Sequence, residues 1–353
     1  MISVVNPRTN FKIAAALAAF FVLAMLAGCS IDPEIKKLSG RTMGTSWSVV
    51  IANPIAIFDQ EEIQGKIESV LLEVNQQMST YDPASEISRF NQFENLNTWF
   101  PVSELFAATT ARALIFSEIS NGSFDPTVGP LVNLWGFGPD TSSEELPSDE
   151  AIALAMSTVG FSAITVRELG AGDGSAIRKT AKRYLDLSAI AKGVGVDQVY
   201  ALLENLGYLN FLVEIGGEVR VKGDKDGLGW RVAVEKPVKD DRTVERLLSL
   251  KDLALATSGD YRNYREIEGV VYSHTVEPST GRPVVHQLAS VTVADTVCAV
   301  ADGWATTLLV LGPTKGYQLA IEQDLSAMFI ERSDDDFVVK KTPKFEQLFA
   351  GDI

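Results

Sequence analysis

Histidine and cysteine are scarce in this chain of 353 residues, which has two of each. So few imidazoles and thiols cannot furnish a usual zinc site, and no HExxH occurs. No GxSxG elbow is present, which removes the common Ser-His-Asp hydrolase arrangement. No GK[ST] follows the glycine cluster Gly170-Ala171-Gly172-Asp173-Gly174, so that cluster reads as a hairpin turn and not as a phosphate loop. Cations are outnumbered, with 31 Lys and Arg against 46 Asp and Glu and a formal net charge of -15. Such an acidic body argues against a nucleic-acid partner and is compatible with divalent-cation binding. The apolar run Ile13 to Leu26 is shorter than the ~20 residues that span a bilayer as a helix.

That run has a different meaning. Arg8 and Lys12 precede it and Leu26-Ala27-Gly28-Cys29 ends it, which is the layout of a secretory signal. Cysteine directly after Leu-Ala-Gly resembles the bacterial lipoprotein signal, in which the cysteine is lipidated and becomes the mature N-terminus. The expected organisation is a lipoprotein signal peptide over 1–28, a lipidated tether over 29–39 and one folded domain over 40–353. The expected location is an exported, periplasm-facing protein held by Cys29, with both membranes open and Ser30 favouring the outer one. Removal of Arg8 and Lys12 takes the formal charge from -15 to about -17. The thiol that remains, Cys298, has no internal partner and reads as a small core residue.

Hydrophobic residues make up 46% and charged ones 22%, an ordinary globular balance. Arg41 to Thr45 leads into an alternating strand, Ser46 to Ile51. Asp59 and Glu62 begin an amphipathic helix whose apolar positions run from Ile63 to Met78. A second helix, about Ser103 to Ser120, stops at Asn121-Gly122. The segment 121–138, dense in Gly, Pro and aromatics, is expected to hold neither helix nor strand. Paired strands are expected over Phe161 to Arg178, and a strand ending at Asp186 is expected to pass to a helix capped by Ser188. Gly216-Gly217 interrupts a strand over Phe211 to Lys222 and reads as a bulge or a close approach of a ligand. Later strands alternate with a helix from Thr296 that Gly312 stops. Helices and hairpin strands without regular βαβ alternation give an α+β fold, mostly antiparallel.

Several residues carry chemistry. A Ser258-Gly259-Asp260 turn and a hairpin at Glu268-Gly269 lead to His274, where a strand hands over to a loop. Asp302 and Thr306, four apart on the late helix, share a face and are hard oxygen donors suited to Mg²⁺ or Ca²⁺. Asp186 and Lys192 flank a helix start, a natural anion position. Phe124-Asp125 offers a ring to stack on and a carboxylate to accept hydrogen bonds. Tyr81 is a second candidate ring. His286 reads as structural or surface-exposed.

Taken together, RTMGT (41–45), STYDP with SEISRFN (79–91), NGSFDPTVGPLV (121–132), LDLSAIAKGVGVD (185–197), EIGGEVR (214–220), TSGDYRNY (257–264), SHTVEPSTGRPV (273–284) and the Asp302/Thr306 element closely resemble the ApbE family, the FAD:protein FMN transferases. The resemblance covers nearly all of the chain after the signal segment. It implies transfer of FMN from FAD to a Thr or Ser hydroxyl of an acceptor protein, with a phosphoester formed and AMP released. It further implies FAD contacts at Met43, Tyr81, Ser123, Phe124, Asp125, Asp186, Lys192 and Val276. The metal is implied to sit on the Ala189 carbonyl, Asp302 and Thr306, with His274 as the base. Implied acceptors are subunits of Na⁺-pumping NADH:quinone reductase or of Rnf-type complexes. Ala305, where some relatives carry a second acid, departs from the pattern and implies a weaker or more water-rich metal shell. Two rivals stand beside this reading: an FAD pyrophosphatase giving FMN and AMP, and an FAD-binding lipoprotein without catalysis.

Overall fold

In the computed structural model of this chain, strand pairing begins at Ile35, so residues 35–39 of the expected tether belong to the folded body. The structure describes residues 34–352 apart from 55–57, 140–144, 168–173, 226, 239–242, 261–263, 268–269 and 335. The expected signal segment with Cys29, and most of the 170–174 glycine cluster, lie outside the described residues. Among the described residues no helix is long and apolar enough to cross a membrane.

Strands β1 (Ile35–Thr42) and β2 (Thr45–Ala52) pair across Met43-Gly44, both at positive φ (49° and 72°). That is the backbone a two-residue hairpin requires, and it sets Met43 in a conformation uncommon for its type. Asp59 caps α1 (Gln60–Met78) as the spacing predicts, its carboxylate accepting the Glu62 N–H at 3.0 Å. Then follow α2 (Glu86–Gln92), β3 (Phe100–Pro101) and α3 (Glu104–Ile119), which is capped by Ser103. The Gly/Pro-rich segment does hold a short helix, α4 (Gly129–Leu134). Pro130 falls in its first turn, where the missing N–H has no helical partner to lose. After α5 (Asp149–Met156), β4 (Ile164–Arg167) and β5 (Ala176–Lys179) join β3 in a three-stranded sheet.

No strand ends at Asp186; residues 182–187 run without a ladder into α6 (Ser188–Asn205). Gly216-Gly217 is not a bulge. With φ of 60° and 104° it turns the chain between two paired strands, β6 (Phe211–Ile215) and β7 (Glu218–Lys222). Next come the ribbon β8 (Trp230–Glu235) with β9 (Val244–Leu250), and β10 (Ala254–Gly259). Ser258 and Gly259 complete that strand where the sequence suggested a turn. The hairpin of β11 (Tyr264–Ile267) and β12 (Val270–Ser273) pairs Ile267 with Val270, in the register a turn at 268–269 demands. The chain closes with β13 (Val276–Glu277), β14 (Arg282–Pro283), β15 (Leu288–Asp295), α7 (Cys298–Glu322), β16 (Ser326–Arg332), β17 (Phe337–Lys341) and α8 (Pro343–Leu348).

Eight strands in the order β1-β2-β6-β7-β10-β15-β16-β17 form the main sheet, every pairing antiparallel. The fold is α+β, as expected. On one face Trp47, Val49 and Val213 meet Ile67 and Leu71 of α1 and Val199 of α6. Further along, Ala256, Val291 and Val293 meet Ala301, Ala305 and Leu308 of α7. The opposite face is closed by Trp230 and Leu248 of the β8–β9 ribbon and by Phe345 of α8. Helices α6 and α7 approach so closely that a Cβ at Gly193 would stand 2.7 Å from the Ala299 Cα. That approach builds the site described below.

Gly312, at φ 76°, breaks α7 where the sequence places a stop, and Pro313 follows it. Pro313 has no N–H for the Leu309 carbonyl one turn earlier. His286 supplies the missing donor, with Nε2 2.8 Å from the Leu309 oxygen. Because a carbonyl only accepts, the imidazole presents Nε2–H here. His286→Ala is expected to lower folding stability by about 1–3 kcal/mol through that orphaned carbonyl. Denaturant unfolding would read this as a lower midpoint, and an unchanged midpoint would mean that water replaces the imidazole.

Candidate active site

The crossing of α6 and α7 joins two residues 109 apart in the chain. The Gly193 N–H donates to Asp302 Oδ2 at 2.9 Å. Asp302 is 1% exposed. Its Oδ1 lies 3.6 Å from Lys192 Nζ, which sits 2.9 Å from Glu218 Oε1 at the start of β7. One turn along α7, Thr306 Oγ1 donates to the Ala189 carbonyl at 3.4 Å and lies 3.0 Å from Ser258 Oγ of β10. The shared face expected of Asp302 and Thr306 is thus turned toward the first turn of α6.

Electrostatics in this cluster are set by burial. It pushes the Glu218 carboxyl up, while Lys192, 2.9 Å away, pulls it back toward the charged form and Asp302 adds a further push. Burial likewise raises Asp302, while Lys192 and the Gly193 N–H oppose the rise. For Lys192, burial works downward, but Asp302 and Glu218 outweigh it and hold the ammonium charged. Two carboxylates thus share one cation.

Among the described residues no three His, Cys, Asp or Glu side chains converge as a metal-binding group. The expected donor set is of another kind: one carboxylate, one hydroxyl and one backbone carbonyl. The structure brings Thr306 and the Ala189 oxygen into contact and places Asp302 on the same helix face. Hard oxygen donors of this kind fit Mg²⁺ or Ca²⁺.

A second group of residues runs outward from the start of α6. Asp186 donates its N–H to the Pro126 carbonyl at 2.7 Å, and its Oδ1 accepts both the Ser188 N–H (2.9 Å) and the Ser188 hydroxyl (2.6 Å). Asp186, not Ser188, therefore secures the helix start. Asn91 holds this stretch from α2, donating to the Leu185 carbonyl at 2.8 Å and accepting the Leu185 N–H at 2.7 Å. Burial, and then the Asp186 charge, raise the Tyr81 hydroxyl above its ordinary value. That hydroxyl donates to the Phe137 carbonyl at 3.5 Å, and the Phe137 ring stands 6.3 Å from the His274 ring. His274 sits where expected, directly after β12. Tyr81 is 66% exposed, so its ring is open to a ligand. It borders a pocket of about 220 Å³ shared with Asn91 and Tyr184.

Other expected contacts face inward. The Phe124 ring is 4% exposed and packs 5.5 Å from Phe116, so it is a core ring and not a stacking platform. Asp125 spends its carboxylate within the chain, accepting the Thr127 N–H (2.7 Å), the Thr127 hydroxyl (2.6 Å) and the Phe161 N–H (3.0 Å). Val276 is 5% exposed and joins the cluster of Leu131, Trp135 and Ile152. Ser123 is half-buried and bonds the Ser120 carbonyl through its N–H. Met43 lies against the core near Gly195. Cys298 is fully buried, as expected, and burial raises its thiol.

Sequence reasoning missed Glu218, Ser258 and Asp197. The carboxylate of Asp197 accepts the Cys298 and Ala299 N–H groups (3.0 and 2.9 Å) and pairs with Arg220 at 2.6 Å. It thereby caps α7, whose own N-cap residue, Val297, gives no side-chain bond. A lone acid in the apolar run of α6 was the available signal. Glu218, directly after two turn glycines, carried a weaker one.

Residues 43–329 match the profile of the ApbE family. A curated relative from Vibrio cholerae serotype O1, named FAD:protein FMN transferase, is 43% identical over 336 residues, covering 95% of this chain and 98% of the relative. The structure of flavin transferase ApbE from Vibrio cholerae is similar with a TM-score of 0.81 at 41% identity, covering 89% of this chain and 99% of that one. The apo crystal structure of Pseudomonas stutzeri flavinyl transferase ApbE gives a TM-score of 0.82 at 36% identity, covering 92% and 99%.

Proposed function

The chain belongs to the ApbE family and is an enzyme that transfers flavin from FAD to protein, and on that premise we propose how its residues carry the transfer. The acceptor's Ser or Thr hydroxyl oxygen bonds to the phosphorus of the FMN half of FAD. The bond from that phosphorus to the bridging oxygen breaks, and AMP leaves with the oxygen. The hydroxyl proton passes to an imidazole nitrogen of His274, a base suited to neutral pH. Lys192 balances negative charge on the pyrophosphate. Asp302, Thr306 and the Ala189 carbonyl would hold Mg²⁺, or Ca²⁺ in its place, which would supply further charge neutralisation.

One observation carries this reading. Contacts run from His274 through Phe137 to Tyr81, whose hydroxyl feels the Asp186 charge, and from the Ala189 carbonyl at the start of α6 to Thr306, with Asp302 beside Lys192 on the same two helices. These links support a reading in which the base and the charge-neutralising groups serve one site. From the N-terminal pattern we further propose a lipid anchor at Cys29 facing the periplasm. The acceptors proposed are flavin-carrying subunits of Na⁺-pumping NADH:quinone reductase or Rnf-type complexes.

The test mixes the full chain in detergent with FAD, Mg²⁺ and a flavin-carrier domain, and views a denaturing gel under ultraviolet light. A fluorescent acceptor band that EDTA abolishes is expected. Free FMN and AMP with a dark band would instead identify a pyrophosphatase. Tyr81→Ala is expected to weaken FAD binding by about 1–3 kcal/mol through lost stacking, read by flavin fluorescence titration. Its exposure predicts an unchanged unfolding midpoint.

A further inference from the structure

Glu218 is 2% exposed, and its Oε2 is buried without a hydrogen-bond partner among the described residues. A carboxylate in that position costs stability unless a cation compensates it. The compensating cation is Lys192, which stands closer to Glu218 (2.9 Å) than to Asp302 (3.6 Å). The hairpin fixes this choice. Glu218 opposes Ile215 across the two-residue turn, so its side chain leaves the sheet at a set point. Gly216 leaves a lane for the lysine stem, since a Cβ there would lie 3.3 Å from Lys192 Cδ.

We propose that Glu218 is a positioning residue that draws the Lys192 ammonium off Asp302 and so keeps the Asp302 carboxylate available to a divalent cation. The inference rests on the metal assignment made above. Held 2.9 Å from Glu218, the ammonium stays 3.6 Å from Asp302 Oδ1, which is left to a cation. Without the Glu218 charge, the ammonium has Asp302 as its remaining anionic partner and competes with the metal for it.

The experiment titrates EDTA-stripped full chain in detergent with Mn²⁺ alone, without FAD or acceptor, and follows free Mn²⁺ by electron paramagnetic resonance. Glu218→Gln is expected to weaken Mn²⁺ binding about tenfold, as loss of a group that orients a ligand does. Glu218→Asp, which keeps the charge but retracts it, is expected to fall between Gln and the parent. Lys192→Met removes the competitor and is expected to bind Mn²⁺ at least as tightly as the parent. The deciding variant is Glu218→Gln with Lys192→Met, expected to match Lys192→Met within about twofold, because Glu218 then has nothing to hold. If Glu218→Gln weakens binding as much in that background as in the parent, Glu218 acts through its own charge or ligates directly, and the inference is overturned. Unchanged binding in Glu218→Gln overturns it too. Asp302→Ala separates the two levels. If its Mn²⁺ binding is normal, the metal assignment falls and this inference with it; if it is lost while the Glu218 effect persists without Lys192, only the inference falls. Unfolding midpoints without Mn²⁺ show that each variant is folded.

Discussion

Replacing His274 with alanine is expected to slow flavin transfer by about 10²–10⁴-fold, the usual worth of a positioned general base. FAD affinity is expected to stay close to that of the parent. The reason is geometric: His274 follows β12 at the strand-to-loop junction and stands edge-on to Phe137 at 6.3 Å, whereas the exposed ring proposed to stack on flavin is that of Tyr81. Single-turnover formation of the fluorescent acceptor measures the chemical step, and flavin fluorescence measures binding. A variant that transfers at the parental rate removes His274 as the base. A variant that loses FAD binding and rate together would make it a binding residue instead. The other histidine is an internal control, because His286 bonds the Leu309 carbonyl at 2.8 Å and has its task at the helix break.

Asp302→Ala is expected to reduce transfer by about 10²–10³-fold at limiting Mg²⁺, the several kcal/mol that a bound cation contributes to charge stabilisation. Part of the rate is expected to return at high Mg²⁺, because Thr306 and the Ala189 carbonyl remain in contact. The same substitution leaves the Gly193 N–H without its 2.9 Å acceptor, a cost of about 1–3 kcal/mol in stability. Asp302→Asn separates the two effects. Its amide oxygen can still accept from Gly193, so stability should hold while the Mg²⁺ requirement rises. A Mg²⁺ titration of transfer that overlays the parent's in both variants would take Asp302 out of the site.

Much of this was legible in the chain itself, and for local reasons. Caps at Asp59 and Ser103, the stop at Gly312 and the register of β11 with β12 follow from residues a few positions apart. The α+β class follows from hydrophobic periods that change from helical to alternating along the chain. The motifs placed His274 at the end of a strand and Asp302 and Thr306 on one helix face. What tertiary structure decided concerns groups distant in sequence. An aromatic in a loop has no period, so only the fold shows that Phe124 meets Phe116 while Tyr81 stays open. Gly216-Gly217 suits a bulge or a hairpin equally, and the pairing of Ile215 with Glu218 selected the hairpin. Alternation puts Glu218 on a face of β7 but does not say that Lys192 waits there. Burying an acid is unfavourable until its cation is in place. That cation reaches it from α6 past Gly216, where a Cβ would lie 3.3 Å from Lys192 Cδ, an energy held between residues far apart and in neither segment alone.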